Sequence, residues 1–151
     1  MILTITAATG KAYVPFLRNK LKKAHDLLGR QSALGEMSLA LVGDRAISAL
    51  HEQFMGINGP TDVLTFPLEL DRRGRTISGE VVVDVAEARR RGKAEGIAPK
   101  LEVLLYALHG MLHLVGYDDR TERGYRAMHS MEDRLLTKLG VGPVFDRTKA
   151  R

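Results

Sequence analysis

The stretch that decides the fold is residues 99–116, which read PKLEVLLYALHGMLHLVG. Proline is favoured in the first turn of a helix and glycine just after the last turn, so this stretch predicts a helix from Pro99 to a stop at Gly116. Its apolar residues recur at helical spacing: Leu101, Leu104, Leu105, Leu108, Leu112 and Val115. This part of the chain is therefore predicted to be a helix with a continuous apolar stripe.

Patterns outside this helix predict a mixed sheet and further helices. Strands are expected near residues 2–6, 37–42, 63–66 and 77–85, and Pro67 is expected to end the third. Helices are expected near residues 15–29, 44–54, 85–95 and 121–139, and Asp44 is expected to cap the second. Residues 1–151 are thus predicted to form a single α+β domain, with a mixed sheet of about four strands packed by about five helices. Residues 141–151 are expected to be a frayed tail.

The composition indicates an ordinary folded protein, since 44% of the residues are hydrophobic and 27% are charged. The first residues, MILTIT, alternate like a strand and lack the features of a signal peptide, so a cytoplasmic location with no membrane partner is expected. The formal net charge of +5 and the pI of about 9.7 favour a polyanionic partner such as RNA. Charge alone is weak support, because many basic proteins bind no polyanion.

Two histidines on the predicted helix are spaced as metal ligands. His109 and His113 are four residues apart, so both rings lie on one helical face and can reach a single cation. The chain has no cysteine, so further ligands must be histidine, carboxylate or backbone oxygen. Gly116 should turn the chain back towards the histidines, where Asp118 and Asp119 follow, and we predict Asp119 as the third ligand.

The alternative is that both histidines are packed core residues. Against it stands Gly110 between them, because glycine inside a helix costs about 1 kcal/mol relative to alanine. Close approach by backbone or substrate would explain this glycine, whereas we expect no such explanation from a packed core. The other histidines, His25, His51 and His129, have no partner at ligand spacing and are expected to be structural or exposed.

Several charged residues are candidates for supporting roles. Glu102 falls on the helical stripe of the two histidines and is a candidate to orient a ligand. The candidates for a general base are Asp62, Glu80 and Asp118, and nothing in the sequence ranks them. The candidate phosphate contacts are Arg72, Arg73, Arg75, Arg89, Arg90 and Arg91, with solvated charged faces as the alternative. Aromatic residues make up only 5% of the chain, which argues against a broad stacking platform for bases.

Three segments resemble the YbeY family, bacterial single-strand-specific endoribonucleases implicated in ribosomal RNA maturation. Residues 109–118, HGMLHLVGYD, closely resemble the family signature, a match of high specificity over ten residues. Residues 60–67, PTDVLTFP, resemble the second family motif, and residues 79–84, GEVVVD, resemble the third. The resemblance spans roughly residues 39–139.

The resemblance implies a zincin-like metal cleft that binds one zinc ion per chain. It also implies a role in 16S rRNA 3′-end maturation and ribosome quality control. The implied partners are single-stranded or ribosomal RNA, the small ribosomal subunit and assembly factors. The sequence departs from the family pattern twice: Asp119 stands where a third histidine is usual, and Met55 stands where a functional arginine is frequent.

Three protein ligands with one open position indicate a catalytic metal, because structural zinc normally has four protein ligands. Such a metal lowers the pKa of a bound water towards about 7 and polarises a phosphoryl oxygen, so hydrolysis of an RNA phosphodiester is expected. One alternative is a ribosome-assembly or RNA-binding factor with a structural metal, which Met55 and Asp119 keep open. A zincin-type metalloprotease is less favoured, because its general-base glutamate would stand at Gly110.

Overall fold

A four-stranded mixed sheet organises the computed structural model, which describes residues 1–141. The strands are β1 (Ile2–Ala7), β2 (Glu36–Val42), β3 (Val63–Leu70) and β4 (Thr76–Asp84), in the order β1-β2-β4-β3. The pairs β1–β2 and β2–β4 are parallel, and β3–β4 is antiparallel. The predicted fold class, an α+β domain with a mixed four-stranded sheet, is confirmed.

Five helices pack around this sheet. They are α1 (Val14–Leu28), α2 (Asp44–Met55), α3 (Val85–Glu95), α4 (Pro99–Val115) and α5 (Glu122–Lys138). The ends of the predicted elements differ from the observed ends by one residue at most, apart from β3. Helix α4 is the central one, because it packs against β3, β4, α1, α3 and α5. Its surface is buried nearly all round rather than along one stripe, as expected for a helix at the centre of a core.

The two faces of the sheet carry cores of different size. On β4, Val81 and Val83 belong to the main core, which includes α1 and α4. The alternate residue Val82 belongs to a smaller cluster on the opposite face, with Ile47 of α2 and Leu64 of β3. Because side chains alternate along a strand, every β4 residue is assigned to the α4 face or the α2 face by its position.

Two local predictions are wrong. Strand β3 continues past Pro67 to Leu70, with a register shift between Pro67 and Glu69. Proline is tolerated there because β3 is an edge strand, whose outward backbone groups need no partner strand. Helix α2 begins at Asp44, but the capping position is Gly43 and no side chain caps the helix. The Asp44 carboxylate instead accepts two hydrogen bonds from Arg90.

Two further expectations concern the C-terminal tail and the membrane. The predicted frayed tail lies, beyond Val141, outside the described residues. Within residues 1–141, none of the helices combines the length and the apolar character that crossing a membrane requires.

Candidate metal centre

The candidate site lies where α4 ends and the chain turns back. His109 and His113 occupy the last two turns of α4, and Gly116 follows the helix with φ 120°, a conformation that favours glycine. The backbone N–H groups of Gly116 and Tyr117 donate to the Leu112 carbonyl, which closes the turn. The loop then carries Asp119 back beside both histidine rings.

The three predicted ligand atoms converge. The Nε2 atoms of His109 and His113 are 3.2 Å apart, and Asp119 Oδ2 lies 3.4 Å and 3.7 Å from them. Tetrahedral zinc with bonds of about 2.0–2.1 Å places its ligand atoms about 3.3 Å apart, so these three donors fit one ion. Across the described residues 1–141, this is the one group of three or more histidine and acidic side chains close enough to hold a metal.

The hydrogen bonds of the outer ring nitrogens define the tautomers. His109 Nδ1 lies 2.7 Å from Glu132 Oε2, and His113 Nδ1 lies 3.1 Å from the Tyr117 carbonyl oxygen. An ionised carboxylate and a carbonyl only accept, so both Nδ1 atoms carry the hydrogen. Both neutral rings then present an Nε2 lone pair to the other and to the Asp119 carboxylate. Three acceptors facing one another need a cation between them.

The electrostatics of His109 also favour a cation. Burial lowers the pKa of the His109 imidazole, but the hydrogen bond from the ring to Glu132 opposes this effect. The negative charges of Glu132, Asp119 and Asp62 also raise the pKa of His109. The net result of all these effects is a raised pKa. Without a metal the site therefore attracts a proton, and a metal ion must displace that proton to bind.

Glu132 is the supporting residue that the sequence analysis missed. Its side chain is 4% exposed, its Oε2 accepts a hydrogen bond from His109 Nδ1 at 2.7 Å, and its Oε1 lies 3.2 Å from His129 Nδ1. No spacing rule links Glu132 to His109, because the two residues lie on different helices. A signal was nevertheless present: Glu132 interrupts the buried stripe of α5, which contains Met128 and Leu135. A carboxylate in such a stripe requires a buried partner.

The candidate bases lie in different surroundings. Asp62 lines the cleft beside His109, where both adjoining hollows meet. Asp118 is partly exposed and forms an ion pair of 2.6 Å with Arg120, whose hydrogen bond lowers the pKa of the Asp118 carboxyl. Glu80 shares a sheet face with Val82, away from α4, so the structure does not bring it to the histidines. Glu102 is fully buried in the first turn of α4, two turns before His109, and its orienting role stays a prediction.

Of the six candidate arginines, Arg91 lines the cleft with His109 and Asp119. The side chains of Arg75 and Arg90 are engaged by carboxylates, Arg75 by Asp71 and Arg90 by Asp44 and Glu87. The remaining three, Arg72, Arg73 and Arg89, are exposed on the β3–β4 hairpin and on α3. The structure therefore brings one of the six to the candidate site.

Gly110 has a packing explanation, contrary to our expectation. A Cβ atom there would lie 2.6 Å from Val81 Cγ1 and 3.2 Å from Thr65 Oγ1. The glycine lets α4 approach the sheet closely, which is a property of the core and gives no argument for a substrate at that position. His129 lies outside the group of three ligand atoms, although it lines the cleft and contacts Glu132.

The cleft consists of two adjoining hollows. One has a volume of about 250 Å³ and is lined by residues that include Asp62, Arg91, His109, Asp119 and Tyr125. The other, of about 390 Å³, is lined by residues that include Met55, Thr65, Pro67 and both histidines. Fold and site together define a class: an α+β protein with a candidate three-ligand metal centre that opens into a cleft, the arrangement of catalytic rather than structural metal sites.

Comparison with known proteins identifies the family within this class. The family model described as Endoribonuclease YbeY matches residues 6–140. The chain belongs to this family, and the predicted resemblance is confirmed.

The curated relatives carry the same description. Endoribonuclease YbeY of Gloeobacter violaceus is 39% identical over 127 residues, which are 80% of this chain and 64% of that protein. Endoribonuclease YbeY of an Anaeromyxobacter species is 36% identical over 132 residues, 87% of this chain and 68% of that protein. The chain thus spans about two thirds of the length of these relatives.

A solved structure shares the fold. The solution structure of TM1509 from Thermotoga maritima matches with a TM-score of 0.61 and 24% identity, over 99% of each chain. At this identity the match shows the fold alone.

Proposed function

We propose that this chain is a zinc-dependent endoribonuclease that hydrolyses phosphodiester bonds of single-stranded RNA. The observation that carries the proposal is the convergence of two histidine lone pairs and one carboxylate, within 3.7 Å of one another, at the edge of an open cleft. Family membership supports RNA as the substrate, since the curated relatives are named endoribonucleases. The basic net charge of +5 favours the same polyanionic partner.

The residues of the site have separate tasks in this proposal. His109, His113 and Asp119 are the residues that would hold one zinc ion beside the cleft. Such an ion supplies an activated water nucleophile and polarises a phosphoryl oxygen. Glu132 holds the His109 ring with Nε2 towards the ion. Asp62 lies beside His109 on the cleft surface. Asp62 would therefore be the general base that takes up the proton of the attacking water.

The biological setting in this proposal is ribosomal. The chain acts as one hydrolase domain in the cytoplasm, in 16S rRNA 3′-end maturation and ribosome quality control, with the small ribosomal subunit and assembly factors as partners. Family membership is the support for this setting.

A second candidate function is an RNA-binding or assembly factor in which the metal is structural. One observation favours it: Met55 lines the cleft at the position where the family frequently has an arginine. A zincin-type protease is disfavoured by packing. The general-base glutamate of that class would stand at Gly110, where even a Cβ atom would clash with Val81.

The test compares wild type with His113→Ala, Asp119→Ala and Asp119→His, and uses His25→Ala as the matched control outside the cleft. Zinc content and cleavage of a single-stranded RNA are measured, with circular dichroism as the check on folding. Wild type and His25→Ala are expected to hold about one zinc and cut RNA. Both alanine variants at the site are expected to lose zinc and cleavage, whereas Asp119→His is expected to keep zinc.

Two outcomes would contradict parts of this proposal. Zinc and activity that survive in Asp119→Ala would remove Asp119 from the ligand set. Wild type that binds zinc and never cuts RNA would favour the assembly-factor function. The protease alternative is tested with the same zinc-loaded protein on an unfolded polypeptide, for which no cleavage is expected.

A further inference from the structure

One wall of the smaller hollow carries side chains that the metal site does not use. The hollow of about 250 Å³ is lined by His109 and Asp119, and also by Arg91 of α3 with Tyr125 and His129 of α5. The three come from two helices that each pack against α4 in the folded protein. They combine a guanidinium with two aromatic rings beside the candidate catalytic centre.

Tyr125 and His129 form a pair of aromatic rings in contact, of which Tyr125 is exposed and His129 is half-buried. They lie one turn apart on α5, with ring centroids 4.2 Å apart and planes inclined by 56°. Next to this pair, Glu132 Oε1 lies 3.2 Å from His129 Nδ1. Tyr125 is 39% exposed although its ring contacts His129. A fixed, solvent-facing ring beside a cleft is suited to stack on a flat apolar group such as a nucleobase.

The guanidinium of Arg91 is a cation whose hydrogen-bond donors are only partly engaged by neighbouring groups. Its Nη2 is 3.8 Å from Glu95 Oε1, a loose contact, and its buried Nε has no hydrogen-bond partner within residues 1–141. The neighbouring Arg90 differs, because it bonds Asp44 and Glu87 at 2.8–2.9 Å. The fork of donors on a guanidinium matches the oxygens of a phosphate.

We propose that Arg91, Tyr125 and His129 form a nucleotide subsite, in which Tyr125 stacks on one base of single-stranded RNA and Arg91 binds a backbone phosphate. His129 is the positioning residue that fixes the Tyr125 ring. The inference rests on the proposed function, because it places a nucleotide next to the phosphodiester at the metal. A hollow of this volume suits a single nucleotide unit rather than a duplex, since it lies at the small end of ligand pockets.

Arg91 is the one arginine or lysine among the described residues that line the two hollows. A phosphate-binding arginine is absent from the wall of the cleft that contains Met55, and a positive charge is present on the wall that contains Arg91. The cleft otherwise carries Asp62, Asp119 and Glu132, whose charges repel RNA unless cations offset them. Arg91 and the metal ion together supply that offset.

The experiment measures equilibrium binding of a short single-stranded RNA, made resistant to cleavage by 2′-O-methyl riboses and phosphorothioate links, to the zinc-loaded full chain. Tyr125→Ala is expected to weaken binding about 5- to 10-fold, and Tyr125→Phe to bind like wild type, because phenylalanine keeps the stacking face. The same RNA with one abasic position should lose affinity for wild type and lose none for Tyr125→Ala.

Arg91 is tested through the salt dependence of the same binding. Arg91→Ala is expected to reduce the slope of log affinity against log salt by about 0.7, the value for one phosphate contact of a single strand. Arg45→Ala is the matched control, because Arg45 is an exposed arginine on α2, at the opposite face of the sheet. It removes the same charge and is expected to leave the slope unchanged. Tyr125→Ala should also leave the slope unchanged.

The outcomes separate this inference from the proposed function. Binding and salt slope that stay at the wild-type values in both Tyr125→Ala and Arg91→Ala would overturn the subsite, even if the protein cuts RNA. The selective losses above, in a protein that does not cut ordinary RNA, would uphold the subsite and overturn the nuclease. Zinc content and circular dichroism of each variant exclude loss of the metal site or of the fold as the cause.

Discussion

Two clusters of charged side chains lie at different places in the fold and differ in which group stands between their acidic oxygens. The histidine cluster, on the α4 face, consists of His109, His113, Asp119 and Glu132. The arginine cluster lies where β4 ends and α2 and α3 begin, and it consists of Asp44, Asp84, Glu87 and Arg90.

The arginine cluster contains its own cation. Arg90 donates to both oxygens of Asp44 at 2.8 Å and to Glu87 at 2.9 Å, so three acceptors meet a guanidinium. Asp84 is fully buried and accepts a hydrogen bond from the Ala86 N–H at the start of α3. Burial and the neighbouring Asp44 raise the pKa of the Asp84 carboxyl to about 7.

The histidine cluster has no arginine or lysine between its converging acceptors. The Nε2 atoms of His109 and His113 face each other at 3.2 Å, and Asp119 completes the triangle. The comparison teaches that convergence of acidic groups is not in itself a sign of a metal site. A metal site is indicated where several acceptors converge and their outer atoms already form hydrogen bonds elsewhere. Only lone pairs then point to the centre, as at the Nε2 atoms of the two histidines.

Removal of the metal should produce the largest difference between the clusters. With free zinc at about a thousand times Kd, chelation is expected to lower the free energy of unfolding by about 4 kcal/mol while circular dichroism of the folded state is unchanged. The fold is expected to persist because α4 is held by the core on nearly all sides. Denaturant unfolding with and without chelator measures the loss.

Asp84→Asn is the control for that experiment, since it alters the arginine cluster alone. It should show the same loss on chelation as wild type. Global unfolding of the chelated wild type at room temperature would instead identify a structural metal.

The second prediction concerns Glu132, which supports the histidine cluster from outside. Glu132→Gln is expected to weaken zinc binding about 10- to 100-fold, because the amide no longer presents a charged acceptor to His109 Nδ1. Glu87→Gln makes the same change in the arginine cluster and should leave zinc affinity unchanged. Competition with a chromogenic chelator measures both. Equal affinities of Glu132→Gln and wild type would show that Glu132 only fills space.

The third prediction uses the raised pKa of Asp84. The folded state holds a proton on this carboxyl up to about pH 7, whereas the unfolded chain releases it near its ordinary pKa of about 4. The free energy of unfolding should therefore fall as pH rises from 5 to 8, on the order of 2 kcal/mol. The metal-free protein is used so that zinc binding does not contribute. Asp84→Asn should show a flatter profile, and a wild-type profile as flat as that of the variant would contradict the raised pKa.

The smallest expected effect comes from removing the cation of the arginine cluster. Arg90→Met leaves Asp44 and Glu87 without their donor, but both are partly exposed, so the loss of stability is expected to stay within about 1 kcal/mol. Zinc affinity should not change. A large loss of zinc affinity in Arg90→Met would show that the two clusters are coupled through the sheet. Thermal unfolding and chelator competition check the two statements.

Local patterns predicted much of this molecule because they depend on neighbours along the chain. The helix of residues 99–116 was predicted by its proline, its glycine and its apolar spacing, and the four-residue interval placed His109 and His113 on one face. The prediction that Pro67 ends β3 was wrong because a proline stops a strand only where a partner needs its N–H group, and β3 lies at the edge. The edge position of β3 is set by the order of the strands in the sheet. The local sequence pattern around Pro67 carries no information about that order.

The sequence by itself determined the element order, the mixed α+β class and the three donors that the structure brings together. Only the tertiary structure decided that Glu132 supports His109, that Glu80 faces away from the histidines, and that Arg91 and Tyr125 share a wall of the cleft. The physical reason is that these relations join α5 and α3 to α4 across the core. Helical and strand periodicity specifies which face of an element is apolar, whereas packing against other elements specifies which polar side chains meet.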